Sequence, residues 1–493
     1  MKRPYEIHQE IEMEREAEEL KVIIDKPFLD SETIWNMYPN NFYKWRVKHD
    51  YPRILSHFSK KLQSFDTWKK EYGFTDEMLM QFGISNCINP NPSKDKRKFI
   101  VERTLEKERT KFISYQNIDK KHYRLGPNPV NHKVLSEFIG YIDWCNLKRI
   151  KIMPDWRDNS ILSRFSSSHP VGQPLNIQIS ILDGLELLKI GGIEVKSDAF
   201  GMIKPKYFEF TNANHLVLSG RLSTGGHQLI FENSYIDNLI CSDFDLSLVE
   251  FRNCKASNIQ ASNSNFQQWG FSLSNISGKA YNSDFKKVSI FGGSFDIDFK
   301  DCTFYQVDAR PINKNDISLD NTFRTFKKVY ANQGDDKKAI EYFLLEKAVE
   351  RIKTKHQIFS YQRWGIFTET KFEKFKNNLI HTLSSTLKFL SLWINNFYWG
   401  YGRKPFRVVR NSLIIIIAYS FFYYFLQTHF KMPEHQTSMT ILDCIYYSSS
   451  TFTTLSFGDF IPLGHLRVLA ASEALFGGLS LGFLVAGFSN FKY

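Results

Sequence analysis

The sequence predicts a mixed fold. An α-rich N-terminal region leads into a β-solenoid, then a helical linker, then an α-helical membrane module. Three observations predict it. The chain holds only two long apolar runs, both near its C-terminal end; apolar residues recur at every fifth position from Leu229; and text with helical period lies between the two patterns. The expected division is 1–175 for a cytoplasmic globular region, 176–318 for the solenoid and 319–365 for a helical hairpin. An amphipathic juxtamembrane helix follows at 366–404, and the two-span membrane module occupies 405–493.

Composition narrows the function classes. The formal net charge of +12 and pI of about 9.1 accompany a mean hydropathy of −0.34, so a membrane part is a minority of the chain. A basic surplus suits nucleic acid or anionic lipid headgroups, and beside apolar spans the lipid partner is the expectation and nucleic acid is not. Six cysteines (Cys87, Cys145, Cys241, Cys254, Cys302, Cys444) form no CxxC pair and have no histidine at ligand spacing. Reduced thiols in a cytosolic compartment are expected, with no metal site and no cofactor. The opening MKRPYEIHQEIEMEREAEEL is charged and lacks the apolar stretch of a signal peptide, so the soluble bulk is expected in the cytosol.

Residues 1–175 begin with acidic helical text. Mixed aromatic and basic segments follow, around Trp45, Trp68, Tyr72, Trp144 and Trp156. No GxxxxGK[ST], post-strand GxGxxG, HExxH or GxSxG occurs, and the thirteen histidines suggest no ligand pair. An enzyme is not expected.

From Leu229 the rhythm is explicit. Phe231, Ile236, Cys241, Leu246, Phe251, Ala256, Ala261, Phe266, Phe271, Ile276 and Tyr281 recur every fifth residue. Two positions earlier stand Leu229, Ser234, Leu239, Phe244, Val249, Cys254, Ile259, Ser264, Trp269, Ser274 and Lys279. The phase then slips to Phe285, Ile290 and Phe295, and again to Phe304 and Ala309. A helix cannot hold one face on period five and a plain strand repeats on two, so a fixed period of five means a solenoid. The pattern resembles the pentapeptide-repeat family, which implies a right-handed square β-helix with two inward residues per pentad. Trp269 and Lys279 are oversized for the small-residue site.

The stretch "TFRTFKKVYANQGDDKKAIEYFLLEKAVERIK" reads as a helical hairpin. Phe323, Phe326, Val329 and Tyr330 make one apolar stripe, Gly334 and Asp335 the turn, and Ala339, Tyr342, Phe343, Glu346 and Ala348 the return. Next, Phe375 to Gly402 is amphipathic. Two readings stand, a third span or a helix lying in the membrane interface. Lys388, His381 and the pair Asn395–Asn396 favour the interface.

The run "SLIIIIAYSFFYYFL" extends with its flanks from Val408 to Phe430, and the second run spans Arg467 to Phe488 with one carboxylate, Glu473. Each is long enough to cross a hydrocarbon core. Arg403, Lys404, Arg407 and Arg410 precede the first run, forming a basic collar for anionic headgroups, and few cations lie between the runs. The excess of cations places that flank, and with two crossings both termini, in the cytoplasm of an inner or plasma membrane. Between the runs, Thr437 and Ser438 offer N-caps. Ile441, Leu442, Ile445, Tyr446 and Ser449 then repeat at helical spacing, so a short re-entrant helix is expected.

"TTLSFGDF" follows that helix. Thr454, Leu455, Ser456, Phe457, Gly458 and Asp459 fall on Thr-Val-Gly-Tyr/Phe-Gly-Asp, and Pro462 follows soon after. With its helix, pore helix, loop and helix order, Ser412–Asn490 resembles the two-transmembrane bacterial potassium channel family. "SEALFGGLSLGFLVA" resembles the family's glycine-bearing inner helix. The resemblance implies a selectivity filter of backbone carbonyls and the Thr454 hydroxyl, a permeant K⁺, gating glycines at Gly477, Gly478 and Gly482, and a homotetramer. Ser456 departs from the pattern, standing where left-handed backbone calls for glycine. Glu473 has two readings: a hydrogen-bonding group behind the filter, or a residue of the outer interface.

The function expected is a tetrameric monovalent cation channel regulated through its N-terminal cytoplasmic assembly, which would receive an unidentified protein or small-molecule ligand. The alternative is a membrane-anchored scaffold or stress and defence sensor whose pore conducts weakly or not at all.

Overall fold

The computed structural model describes residues 4–88, 99–104, 109–114, 126–130, 133–137, 139–150, 152, 181–182, 184–195, 204, 206–221, 228–311, 318–360, 371–432, 436, 438–455 and 458–489. The chain forms two compact units, 1–325 and 326–493.

The first unit opens with helices α1 (Pro4–Ile23), α2 (Ser31–Asn36), α3 (Pro39–Trp45), α4 (Tyr51–Lys61), α5 (Phe65–Tyr72), α6 (Asp76–Phe82) and α7 (Ile84–Ile88), with α8 at Tyr141–Lys148. Local chemistry sets several ends. Asp30 caps α2 by accepting from Thr33 N at 2.8 Å, and Gly73, at φ 69°, closes α5. Strands at 99–104, 109–114, 126–130 and 133–137 add a four-stranded antiparallel sheet that no periodicity announced.

The centre of this unit is a parallel β-solenoid of about five coils, from Leu188 to Arg310. Leu229 lies beside Val249, a coil of twenty residues, and Asn265 lies beside Asp284, a coil of nineteen. All ten positions from Phe231 to Ile276, and the ten two residues before them, are buried. Identical rings therefore stack from coil to coil. Phe208, Phe231, Phe251 and Phe271 have successive centroids 5.4, 5.2 and 5.3 Å apart.

Two expectations need correction. Trp269 is buried like its neighbours, because its Nε1 donates to the Leu246 carbonyl at 2.7 Å and its ring packs nearly perpendicular to Phe266 at 4.7 Å. Tyr281 is exposed and Ala280 takes its inward place, because the register shifts by one residue near Gly278. That close approach also needs glycine, since a Cβ on Gly278 would lie 2.1 Å from the Ile259 carbonyl oxygen. Lys279 is thereby turned outward.

The corners explain the polar letters. Asn233, Asn238, Asp243, Leu248, Asn253, Asn258, Asn263, Gln268 and Leu273 all have positive φ. Asn and Asp tolerate this left-handed conformation better than other residues carrying a Cβ. They also form ladders between coils, with Asn253 Nδ2 donating to Asn233 Oδ1 at 2.7 Å and Asn263 Nδ2 to Asp243 Oδ1 at 3.1 Å.

A solenoid end must be covered. Here α2, α3 and α4 supply Trp35 and Phe42 to Phe208, at 4.8 and 5.4 Å, and Phe58 to Phe210 at 5.7 Å. Trp35 Nε1 donates to the Ile190 carbonyl at 2.8 Å. At the other end the Phe295 amide donates to Thr322 Oγ1 at 2.9 Å, in the first turn of α9 (Asp320–Asn332).

The second unit contains the rest of α9, then α10 (Asp336–Ser360), α11 (Lys371–Tyr398), α12 (Phe406–Phe425), α13 (Ile441–Phe452) and α14 (Leu466–Ser489). Gly334, at φ 77°, turns α9 into α10, and Tyr330 stacks on Tyr342 at 5.6 Å. Lys388 of α11 reaches Glu350 of α10 at 3.3 Å, while Leu379, Leu383, Leu387, Leu390, Ile394 and Phe397 form an exposed apolar stripe on α11. The helices α12 and α14 are long and apolar enough to cross a membrane. The first ends at Phe425 rather than Phe430. Its chain then pairs antiparallel with the segment just before α14, Phe430 against Pro462 and Lys431 against Ile461.

Candidate functional site

The site begins at the N-terminus of α13. Thr440, rather than Thr437 or Ser438, is its cap; Thr437 lies outside the described residues. Thr440 Oγ1 accepts from Asp443 N at 3.2 Å, while Thr440 N donates back to Asp443 Oδ2 at 2.8 Å. This reciprocal pair is the capping box written as T-x-x-D. The helix buries Cys444, Tyr447, Ser448 and Phe452. Its expected apolar face of Ile441, Leu442, Ile445 and Tyr446 is exposed instead. The buried side faces α12 and α14, so the apolar stripe of the sequence is turned away from the chain's own core.

Glu473 fastens three helices. It is fully buried on α14, and Tyr423 OH of α12 donates to its Oε2 at 2.7 Å. Ser448 Oγ of α13 bonds its Oε1. Glu473 is thus buried and hydrogen-bonded rather than exposed. Neither hydroxyl partner was identified from sequence, although a tyrosine and a serine within apolar segments require partners at membrane depth. Above this junction Tyr423, Phe430, Met439, Cys444, Tyr447, Phe460 and Leu466 form one apolar cluster.

Gly477 explains the packing below. A Cβ there would lie 1.7 Å from the Phe452 carbonyl oxygen, so only glycine lets α14 approach the end of α13. Gly478 and Gly482 have open space at the corresponding point and are exposed. The three glycines are therefore not equivalent.

The helix α13 ends at Phe452 and the loop begins with Thr453. Thr454 is left-handed, at φ 59°, and its Oγ1 donates to the Thr453 carbonyl at 2.7 Å. Thr453, Thr454 and Leu455 are exposed, as are Gly458, at φ 79°, and Asp459. Ser456 and Phe457 lie outside the described residues. Asp459 is held by Tyr446 OH, which donates to Oδ2 at 3.0 Å. Under the loop, Thr453, Thr454, Gly477, Gly478 and Leu481 border a mainly apolar cavity of about 370 Å³.

The basic collar lies where α11 gives way to α12. Gly400, Tyr401 and Gly402 are all left-handed and form an elbow. Lys404 and Arg410 are exposed, whereas Arg403 and Arg407 are half-buried. Arg407 Nη1 donates to the Asn396 carbonyl at 2.6 Å near the C-terminal end of α11, where helix carbonyls lack partners. Arg410 stands over the Phe397 ring at 5.8 Å.

No curated protein and no solved structure matches the chain. A family model described as "Ion channel" matches residues 412–492. That segment contains most of α12, then α13, the loop after it and α14, so residues 412–492 are similar to an ion-channel domain, in a chain whose first unit holds a β-solenoid consistent with a pentapeptide-repeat domain.

Proposed function

We propose that four copies of this chain form a monovalent cation channel, with K⁺ as the permeant ion, rather than an enzyme. The observation that carries this reading is the seat of α13. A capped helix is clamped to both apolar helices through Glu473 and Gly477, and its C-terminal end runs directly into TTLSFGDF. A helix C-terminus carries partial negative charge and favours a cation beyond it. In this reading the carbonyls from Thr454 to Phe457, with the Thr454 hydroxyl, replace the ion's water.

One loop cannot enclose an axis. The exposed face of Ile441, Leu442, Ile445 and Tyr446, and the open glycines Gly478 and Gly482, suit contact with neighbouring subunits and a central cavity. The α11 stripe would lie in the interface, with Lys388 held on the polar side by Glu350. Lys404 and Arg410 would meet anionic headgroups at the cytoplasmic leaflet. Regulation would enter through α10 and α11, which pack together beside the elbow.

Full-length protein reconstituted in liposomes should support K⁺ flux down a gradient. Light scattering of the detergent-solubilised protein should give four times 57.8 kDa after subtraction of detergent. A monodisperse monomer or dimer, or vesicles with no flux above empty controls, sinks the proposal.

A further inference from the structure

We infer that Lys206 is a reactive amine that captures an aromatic or conjugated aldehyde as an imine, in a cavity between the N-terminal helices and the first coils of the solenoid. The cavity lies wholly within the first unit and measures about 580 Å³. That volume is within the ~300–1,000 Å³ usual for small-molecule sites. Helices α1, α3 and α4 close it on one side, and strands Tyr207–Glu209 and Leu229–Glu232 on the other. Tyr38, Phe42, Tyr43, Tyr51 and Tyr207 stand on its wall, with Glu16 and Lys206 among them.

The surroundings of this amine do not suit a charge. Lys206 is buried, and among the described residues its Nζ has one hydrogen-bond partner, the Trp35 carbonyl at 2.6 Å. An ammonium has three hydrogens to satisfy. The carboxylate that acts on it, Glu19, already accepts from Tyr38 N at 2.9 Å and from Asn41 Nδ2 at 2.7 Å, and makes no ion pair with it. Lys204 adds a like charge, its Nζ standing 3.6 Å from the centre of the Tyr38 ring. Burial without a counter-ion, beside a second cation, leaves a lysine neutral and nucleophilic at ordinary pH. In agreement, burial and Lys204 hold this amine down at about 7.

A neutral amine on a cavity wall suits a carbonyl carbon. The Nζ lone pair forms the C–N bond, the carbonyl oxygen takes both amine hydrogens and leaves as water, and a C=N bond remains. No oxidant or reductant enters. Glu16 supplies a carboxylate in the same cavity to pass the proton from nitrogen to oxygen. The aromatic wall favours a flat aldehyde whose ring stacks on it over a short aliphatic one.

Reductive trapping on the full-length protein in detergent tests this independently of the channel reading. Benzaldehyde with sodium cyanoborohydride at about pH 7.5 should place a benzyl group on Lys206 at least about tenfold faster than on Lys204 or any other lysine, because ordinary lysines stay protonated there. Peptide mass spectrometry locates the adduct. The advantage of Lys206 should shrink toward about pH 10, where the other amines also lose their protons. Lys206→Met should remove the fast-labelled site and leave the slow ones. Asn40→Trp narrows the cavity at an exposed position and keeps the amine. It should slow labelling of Lys206 alone, and it serves if Lys206→Met misfolds. Labelling of Lys206 no faster than of other lysines, or an advantage that Asn40→Trp leaves intact, overturns the site. An equal advantage with acetaldehyde overturns the aromatic preference.

Discussion

Removing the Glu473 carboxylate leaves the Tyr423 hydroxyl inside the helix junction without its acceptor, whereas Ser448 Oγ keeps the Ile416 carbonyl at 2.9 Å. An orphaned buried polar group costs about 1–3 kcal/mol, so Glu473→Ala should destabilise the second unit by about 2 kcal/mol. The check is thermal unfolding in detergent; an unchanged midpoint would show that the clamp contributes nothing. In the first unit Lys206 gives a pH signature. Its Nζ donates to the Trp35 carbonyl at 2.6 Å, and burial, aided by Lys204, pushes its amine down to about 7. The unfolded chain keeps that proton to about pH 10.4. Between these values the unfolded state binds more protons, so stability rises with pH across that window and the full penalty applies below it. The slope is ~1.4 kcal/mol per pH unit at most. Lys206→Met should flatten it in denaturant titrations of the full chain from pH 7 to pH 10, and a slope that persists would assign it elsewhere.

Among the elements, the contact of α14 with α13 makes the sharpest demand on sequence. A Cβ at Gly477 overlaps the Phe452 carbonyl, whereas one at Gly478 meets nothing. Gly477→Ala should therefore cost about 3 kcal/mol, the upper range for overpacking, and should scatter the filter. Gly478→Ala should fold normally. Size-exclusion profiles and melting of the two variants compare them directly, and equal behaviour contradicts the packing. The solenoid was the most legible element, because Phe231, Phe251 and Phe271 report their depth through a period no other fold maintains. Its corners at Asn233, Asn253 and Asn263 follow from the same period through backbone strain. Less was readable where partners are distant in sequence. The mate of Glu473 lies fifty residues away at Tyr423, and Trp35 finds Phe208 across a still longer separation in sequence. The apolar face of α13 was visible as a pattern. Its direction was not, because periodicity does not say whether the chain itself or something outside it covers a stripe. Tyr281 was misplaced because one missing residue near Gly278 moves every later side chain.

For the whole molecule, the central claim is selective passage of cations through four copies of TTLSFGDF. Ser456 is its most exposed point. If Ser456 takes the left-handed backbone that the resemblance implies, its Cβ costs about 1 kcal/mol or more per residue, and in a tetramer four such costs would add up. Wild type should therefore pass K⁺ while excluding Na⁺ less strictly than a filter with glycine there, and Ser456→Gly should raise the K⁺/Na⁺ permeability ratio. Thr454→Ala should lower conductance without abolishing assembly, read from unitary current and light scattering. The most direct measurement is the reversal potential of the full-length protein in planar bilayers, with K⁺ on one side and Na⁺ on the other. The account predicts a cation current whose reversal potential favours K⁺ and shifts further toward K⁺ in Ser456→Gly. No current from well-folded protein, or a reversal potential set by the anion, would contradict it.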